Sequence, residues 1–180
     1  MSKKILVISG SPRKGGNSDI LCDQFMLGAQ EAGHATEKIY VREQKIGFCR
    51  ACYACKETGA CIQKDDVDAI LDKMVNADVI VMTTPVYYYT MNGQMKTLID
   101  RVLPRYYTEI KISDKDFYFI ATAAEKKDTM ERAIDGLRGF TDCLPKAKVK
   151  GVIYGAGVYQ PGEVKDTPAI QEAYAMGKGV

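Results

Sequence analysis

Apolar and polar positions along the chain fall into two rhythms that alternate from end to end. Lys4–Ser9 (KILVIS) is a continuous apolar run with β-branched residues, the pattern of a strand buried on both faces of a parallel sheet. Gly10–Gly16 supplies a turn. Asn17 or Ser18 is then placed to cap a helix with apolar residues at Ile20, Leu21, Phe25, Leu27 and Ala29, stopped by Gly33. Thr36–Val41 predicts a short second strand, and about two dozen residues with neither period follow it. Helical spacing resumes over Asp66–Val75 through Val67, Ile70, Leu71 and Met74, and Ala77–Thr83 (ADVIVMT) predicts a third strand. Pro85–Asn92 reads as an edge loop before a helix carrying Met95, Leu98, Ile99 and Val102. A strand over Asp116–Ala121, a helix over Thr129–Leu144, a strand over Val149–Tyr154 and a helix over Ala169–Met176 complete the series.

Five strands alternating with five helices, joined by right-handed crossovers, predict an α/β doubly wound sheet. Five strands suit the flavodoxin-like arrangement: parallel, in the order 2-1-3-4-5, with helices on both faces and a ligand crevice where the order reverses. There is no internal repeat, linker or low-complexity tract. The 180 residues, 46% hydrophobic and 27% charged, are therefore expected to form one domain, 1–180. Lys and Arg total 25 against 23 Asp and Glu, and a net charge of +2 lacks the footprint of a nucleic-acid binder. Met-Ser-Lys-Lys and one short apolar strand carry no leader or membrane signal, so a cytoplasmic protein without a membrane partner is expected. In that compartment thiols stay reduced, so six cysteines point to metal or redox chemistry rather than to a disulfide framework.

The loop Gly10-Ser-Pro-Arg-Lys-Gly-Gly-Asn-Ser18 joins the first strand to the first helix, where main-chain N–H groups and the positive end of a helix dipole converge on a phosphate. Ser11, Asn17 and Ser18 offer hydroxyl and amide donors, Arg13 and Lys14 add charge, and Gly15 and Gly16 allow close approach. Gly16-Asn17 stands where an NTPase loop requires Lys-Ser/Thr, the dinucleotide fingerprint is absent, and Tyr40 replaces an acidic ribose ligand. A mononucleotide remains, beside the plainer reading of a surface turn.

The loop after the third strand faces the first across the crevice. It reads Thr84-Pro-Val-Tyr-Tyr-Tyr-Thr-Met-Asn-Gly93, and its tyrosines suit the enclosure of a flat ring such as an isoalloxazine. Packing or a subunit interface is the competing use for Tyr87–Tyr89. Thr122-Ala-Ala-Glu125, after the fourth strand, is placed as a third wall.

At Gly10-Ser-Pro-Arg-x-x-x-Asn-Ser18, and at Thr84-Pro-Val-Tyr87 followed by Gly93-x-x-Lys96-x-x-x-Asp100-Arg101, the chain resembles the NADPH-dependent FMN reductase family. Within it the chain is most similar to the iron–sulfur flavoproteins. The resemblance implies FMN, hydride or electron transfer, and a homodimer or homotetramer. It further implies that Ser11, Arg13, Asn17 and Ser18 hold the FMN phosphate, while Pro85–Tyr88 and the Thr122 loop surround the ribityl chain and ring. The candidate cofactor contacts are thus Ser9, Ser11, Pro12, Arg13, Asn17 and Ser18 from the first loop. Pro85, Val86, Tyr87, Tyr88, Tyr89 and Gly93 come from the second, and Thr122, Ala123 and Ala124 from the third.

Cys49-x-x-Cys52-x-x-Cys55-x5-Cys61 lies in the unpatterned stretch, about residues 42–65. Three cysteines at two-residue gaps with a fourth nearby suit a [4Fe-4S] cluster, and the spacing resembles that of the iron–sulfur flavoproteins. The only histidine, His34, lies elsewhere, which removes a Cys/His zinc site; an all-cysteine zinc site and plain reduced thiols stay open. Cys22 and Cys143 fall in apolar helical stretches and read as packing residues.

FMN takes two electrons as hydride and releases them singly, so no side-chain acid or base is required and no catalytic residue is assigned. The leading expectation is an NAD(P)H oxidoreductase delivering electrons to a small acceptor or to ferredoxin. A ferredoxin-fed one-electron carrier and a non-enzymatic binding module with a zinc-stabilised loop are the two alternatives.

Overall fold

The computed structural model describes all 180 residues. Five parallel strands form one sheet: β1 (Lys4–Ser9), β2 (Ala35–Tyr40), β3 (Val79–Tyr87), β5 (Asp116–Thr122) and β6 (Lys148–Gly155). A two-residue strand, β4 (Thr90–Met91), pairs antiparallel with the end of β3. The order β2-β1-β3-β5-β6 is the expected 2-1-3-4-5 arrangement counted over the long strands.

The helices are α1 (Asn17–Glu31), α2 (Ala54–Thr58), α3 (Val67–Asn76), α4 (Gly93–Asp100), α5 (Leu103–Tyr107), α6 (Glu131–Asp142) and α7 (Ala169–Lys178). The continuous apolar strands feed two cores at once, because successive side chains point to opposite faces. Leu6, Ile8, Ile80, Met82, Phe117 and Phe119 pack with α3, α4 and α6. Ile5, Val7, Val79, Val81 and Ile120 pack with α1 and α7 on the other face.

Register brings the carboxyl ends of the central strands into one row, with Ser9 beside Thr83 and Pro85 beside Thr122. The three loops read from the sequence therefore leave the sheet side by side. α7 backs the helix of the first loop. A Cβ at Gly177 would stand 1.9 Å from the Phe25 carbonyl oxygen, and one at Gly28 would stand 2.1 Å from that of Tyr174, so only glycines permit this approach.

Several boundaries differ from expectation. β3 runs four residues beyond Thr83 and folds into a hairpin with β4, where an open loop was expected. The helix expected through Val102 ends at Asp100, and α5 starts afresh with Pro104 in its first turn. A 3-10 turn, Lys127–Met130, replaces the start of the helix expected from Thr129. α1 is preceded by Gly16, and no side chain caps it; Asn17 and Ser18 lie within its first turn.

Candidate functional site

The first loop is organised by a buried carboxylate that sequence reading missed. Asp19, 3% exposed, accepts from the Ser9 hydroxyl at 2.6 Å and from the Gly15 N–H at 3.0 Å. Arg42, just past β2, pairs with it at 3.0 Å and also donates to the Ser11 carbonyl at 3.1 Å. A buried carboxylate is tolerated only when paired and hydrogen-bonded, so Arg42 neutralises Asp19 directly beneath the expected phosphate position. The only sequence signal for this pair is an acidic residue in the first turn of α1 with an arginine at the end of the neighbouring strand.

Above that scaffold the start of α1 is open. Its first helical bond runs from Ile20 N to Gly16 O at 3.1 Å, leaving the N–H groups of Asn17, Ser18 and Asp19 without intrahelical partners. All three residues are buried and no side chain caps the turn, which is the donor set an anion completes.

Gly10 brings the first and second loops together. Its N–H donates to Thr83 O at 2.8 Å, and an added Cβ would lie 2.9 Å from that same oxygen. Asn92, buried before α4, donates to the Gly10 carbonyl, accepts from Met95 N at 3.3 Å, and gives its own N–H to the Thr84 hydroxyl at 3.0 Å. The third loop joins through Ser18 and Thr122, whose hydroxyls lie 2.7 Å apart.

These contacts frame a cleft of about 180 Å³. The structure brings Ser11, Arg13, Asn17 and Ser18 to one wall, Pro85, Val86 and Tyr87 to the next, and Thr122, Ala123 and Ala124 to a third. Gly16, Val158 and Tyr159 line it as well, the last two from a loop after β6 that carried no motif. Of the remaining candidates, Ser9 serves Asp19, while Pro12, Tyr88, Tyr89 and Gly93 lie outside the lining. Tyr88 and Tyr89 have φ of 50° and 63° in a two-residue hairpin turn, a conformation that favours Asn-Gly. Tyr88 is 97% exposed, so the turn presents its ring outward. A hollow of about 320 Å³ at the opposite edge of the sheet has no glycine-rich loop, and two of its three charged residues, Glu37 and Lys73, pair with each other.

The cysteine loop packs where α4 ends and α5 begins, against Asp100, Arg101, Leu103 and Pro104. Cys49, Cys52, Cys55 and Cys61 all line one pocket, and no three acidic, histidine or cysteine side chains gather as a single-ion set. Burial pushes the Cys55 thiol up, and the three neighbouring cysteines add to the shift. Ala51 and Tyr53 have φ of 49° and 57°, in the left-handed region that favours glycine.

Arg101, 2% exposed, anchors the loop. It grips Asp65 at 2.7 and 3.0 Å, donates to Gly47 O at 2.6 Å, and reaches the Cys61 sulfur at 3.2 Å. Burial works against the charged form of Asp65, yet Arg101 and the N–H groups of Gly47 and Val67 hold its carboxyl below the usual range. Cys22 stands apart: complete burial pushes its thiol up to about 12, which suits a packing residue, whereas Cys143, expected to pack likewise, is exposed at the end of α6.

An uncapped helix start, a cleft walled by three loops and the switch point of a 2-1-3-4-5 sheet together define a flavodoxin-like α/β protein. Residues 3–150 match the family of NADPH-dependent FMN reductases, and the chain belongs to that family of flavin-dependent oxidoreductases. An iron-sulfur flavoprotein of Methanocaldococcus jannaschii is 33% identical over 98% of this chain and 95% of its own length. A second, from Archaeoglobus fulgidus, is 38% identical, but the match spans 56% of this chain and 46% of that protein. The fold is shared with an NAD(P)H:quinone oxidoreductase from Methanothermobacter marburgensis at a TM-score of 0.77 and 17% identity, covering 99% of this chain and 97% of the other.

Proposed function

We propose that this chain is an FMN-dependent NAD(P)H oxidoreductase whose cysteine loop holds a [4Fe-4S] cluster, with a small molecule or ferredoxin as electron acceptor. The observation that carries it is the placement of four cysteines around one pocket at the far end of the helix that starts at the cleft. α4 has eight residues, about 12 Å at roughly 1.5 Å per residue, with Asn92 touching the phosphate loop before it and Arg101 touching Cys61 after it.

The residues present fit both groups. The open first turn of α1, Ser11 and Arg13 would hold the FMN phosphate, while Pro85, Val86, Tyr87 and Ala123 would border the rest. Cys49, Cys52, Cys55 and Cys61 would be the cluster ligands, with the Arg101 N–H bonded to one sulfur. FMN when bound supplies hydride acceptance and single-electron release; the protein's part is to bind, orient and exclude water.

The two iron-sulfur flavoproteins described above favour the same reading. It takes residues 1–180 as one domain in a cytoplasmic homodimer or homotetramer. Six unpaired cysteines support the setting, and exposed Phe48, Tyr88 and Tyr89 support the assembly. No helix is long and apolar enough to cross a membrane.

The test is anaerobic purification followed by a visible spectrum and iron, zinc and FMN content per chain. Flavin bands with broad iron–sulfur absorption and iron near four per chain, the number a cubane requires, are expected. Flavin without iron would leave a reductase whose cysteine loop is structural, and zinc would assign the loop to stabilisation.

A further inference from the structure

The strap after β6 lies outside residues 3–150, the segment matched to the family, yet it closes one side of the cleft. It is tied down at both ends. Gly157 N donates to Glu125 O and Val158 N to Ala123 O, each at 2.9 Å, which fixes the strap to the third loop. Asn17 fixes it to the first: its Nδ2 donates to Gln160 O at 2.9 Å, and its Oδ1 accepts from Gly162 N at 2.9 Å and Val164 N at 3.4 Å. Glu163 clamps the centre, accepting from Tyr159 N at 2.6 Å and Gln160 N at 2.9 Å. Gly162 at φ +98° lets the chain turn back beneath its own clamp.

The strap presents Tyr159. Its N–H and carbonyl are both bonded, the residue is 63% exposed at the cleft wall, and its hydroxyl has no partner. Arg13 donates to the Tyr159 carbonyl at 2.9 Å, with its guanidinium 5.7 Å from the ring centroid. That contact uses one corner of a planar, five-donor group and leaves the other N–H groups for an anion. Asn17, by contrast, has both ends of its amide engaged by the strap.

We propose that Tyr159 is a further cofactor-contact residue, its ring covering the phosphate and ribityl end of bound FMN. Asn17 is a positioning residue that sets the strap on the phosphate loop, not a side-chain donor to the phosphate. The inference rests on the FMN reading of the cleft. A rigidly presented aromatic ring loses little freedom when it meets a ligand, so its contact appears mainly as slower release.

The experiment measures FMN dissociation by stopped flow and thermal unfolding of the FMN-free protein, in wild type and variants. Tyr159→Ala should speed release roughly tenfold, the effect of one aromatic contact, with the melting temperature of the FMN-free protein unchanged. Tyr159→Phe should keep the wild-type rate, since the hydroxyl has no partner. Glu163→Ala, at an exposed position, should speed release in the same sense. Asn17→Ala should also speed release, and combining it with Tyr159→Ala should add little, because both act through one ring.

Wild-type release from Tyr159→Ala would overturn the proposal. Fully additive effects of Asn17→Ala and Tyr159→Ala would return Asn17 to direct phosphate binding. Wild-type protein that takes up no FMN would instead remove the flavin reading itself.

Discussion

The cleft and the cysteine loop leave the same edge of the sheet but are held by different means. In the cleft the polar atoms hold one another: Asp19 with Arg42, Asn92 with Gly10 and Thr84, Ser18 with Thr122. All but the Asn92–Thr84 bond join segments distant in sequence, so the shape exists before a ligand arrives. Within the cysteine loop, residues 48–52 make no backbone–backbone hydrogen bond; Asp65, Asp66 and Arg101 fasten Lys45 and Gly47 just before them, and Gln63 Nε2 donates to the Phe48 carbonyl at 3.0 Å. A preformed cavity suits a cofactor that binds and leaves; a loosely tied loop suits one whose own bonds finish the fold.

The contrast can be tested by cutting each region at its fastening. Arg42→Ala should have the largest effect, leaving a buried carboxylate unpaired at a cost of about 3–5 kcal/mol. A large fall in melting temperature together with loss of FMN affinity is expected, and a small change in both would mean that the cleft is not pre-shaped. Gly10→Ala should follow, at about 1–3 kcal/mol of crowding against the Thr83 carbonyl and Asn92. It should also reduce FMN affinity, measured by titration of the FMN-free protein.

Arg101→Gln should separate the two regions. Iron content should fall and alkylation of Cys61 should quicken, while FMN affinity changes less than under Arg42→Ala. Equal losses at both sites would show that α4 transmits disorder from one to the other.

The Asp65 pair adds a pH test. Because its carboxyl is held low, the stability it contributes is present above the ordinary carboxylate range and is lost as pH falls through the lowered value. Hydrogen exchange of residues 45–65 should quicken before that of β5 as the pH drops below about 4. The smallest effect is expected at the hairpin turn. Tyr89→Gly relieves a left-handed φ of 63° and should raise the melting temperature by roughly 2–4 °C, for about 1 kcal/mol in a chain of this size.

The parallel sheet was legible because its strands are buried on both faces and read as unbroken apolar runs between glycine-rich turns. Ten of the fifteen candidate contacts line the cleft, since loops at the switch point face each other wherever such a sheet forms. Asp19, Arg42 and Asn92 were not legible. Their roles arise from pairings across strands, and a charged or amide residue looks alike in sequence whether it faces water or a buried partner. The hairpin at Tyr88–Tyr89 was hidden because its residues contradict the turn they adopt. Tyr159 carries no sequence signal because the strap has neither period nor motif, and the bonds from the Asn17 amide to the strap join positions far apart in the chain.

The packing of Gly28 against Tyr174 and of Gly177 against Phe25 has a consequence for the order of folding. α1 opens on the cleft, yet the face on which it rests is completed by α7, a helix separated from it by four of the five long strands. Until α7 docks, the open turn stands on a helix with one side uncovered. A cleft able to grip a ligand should therefore form together with this long-range contact, not before it, with α7 as its keystone.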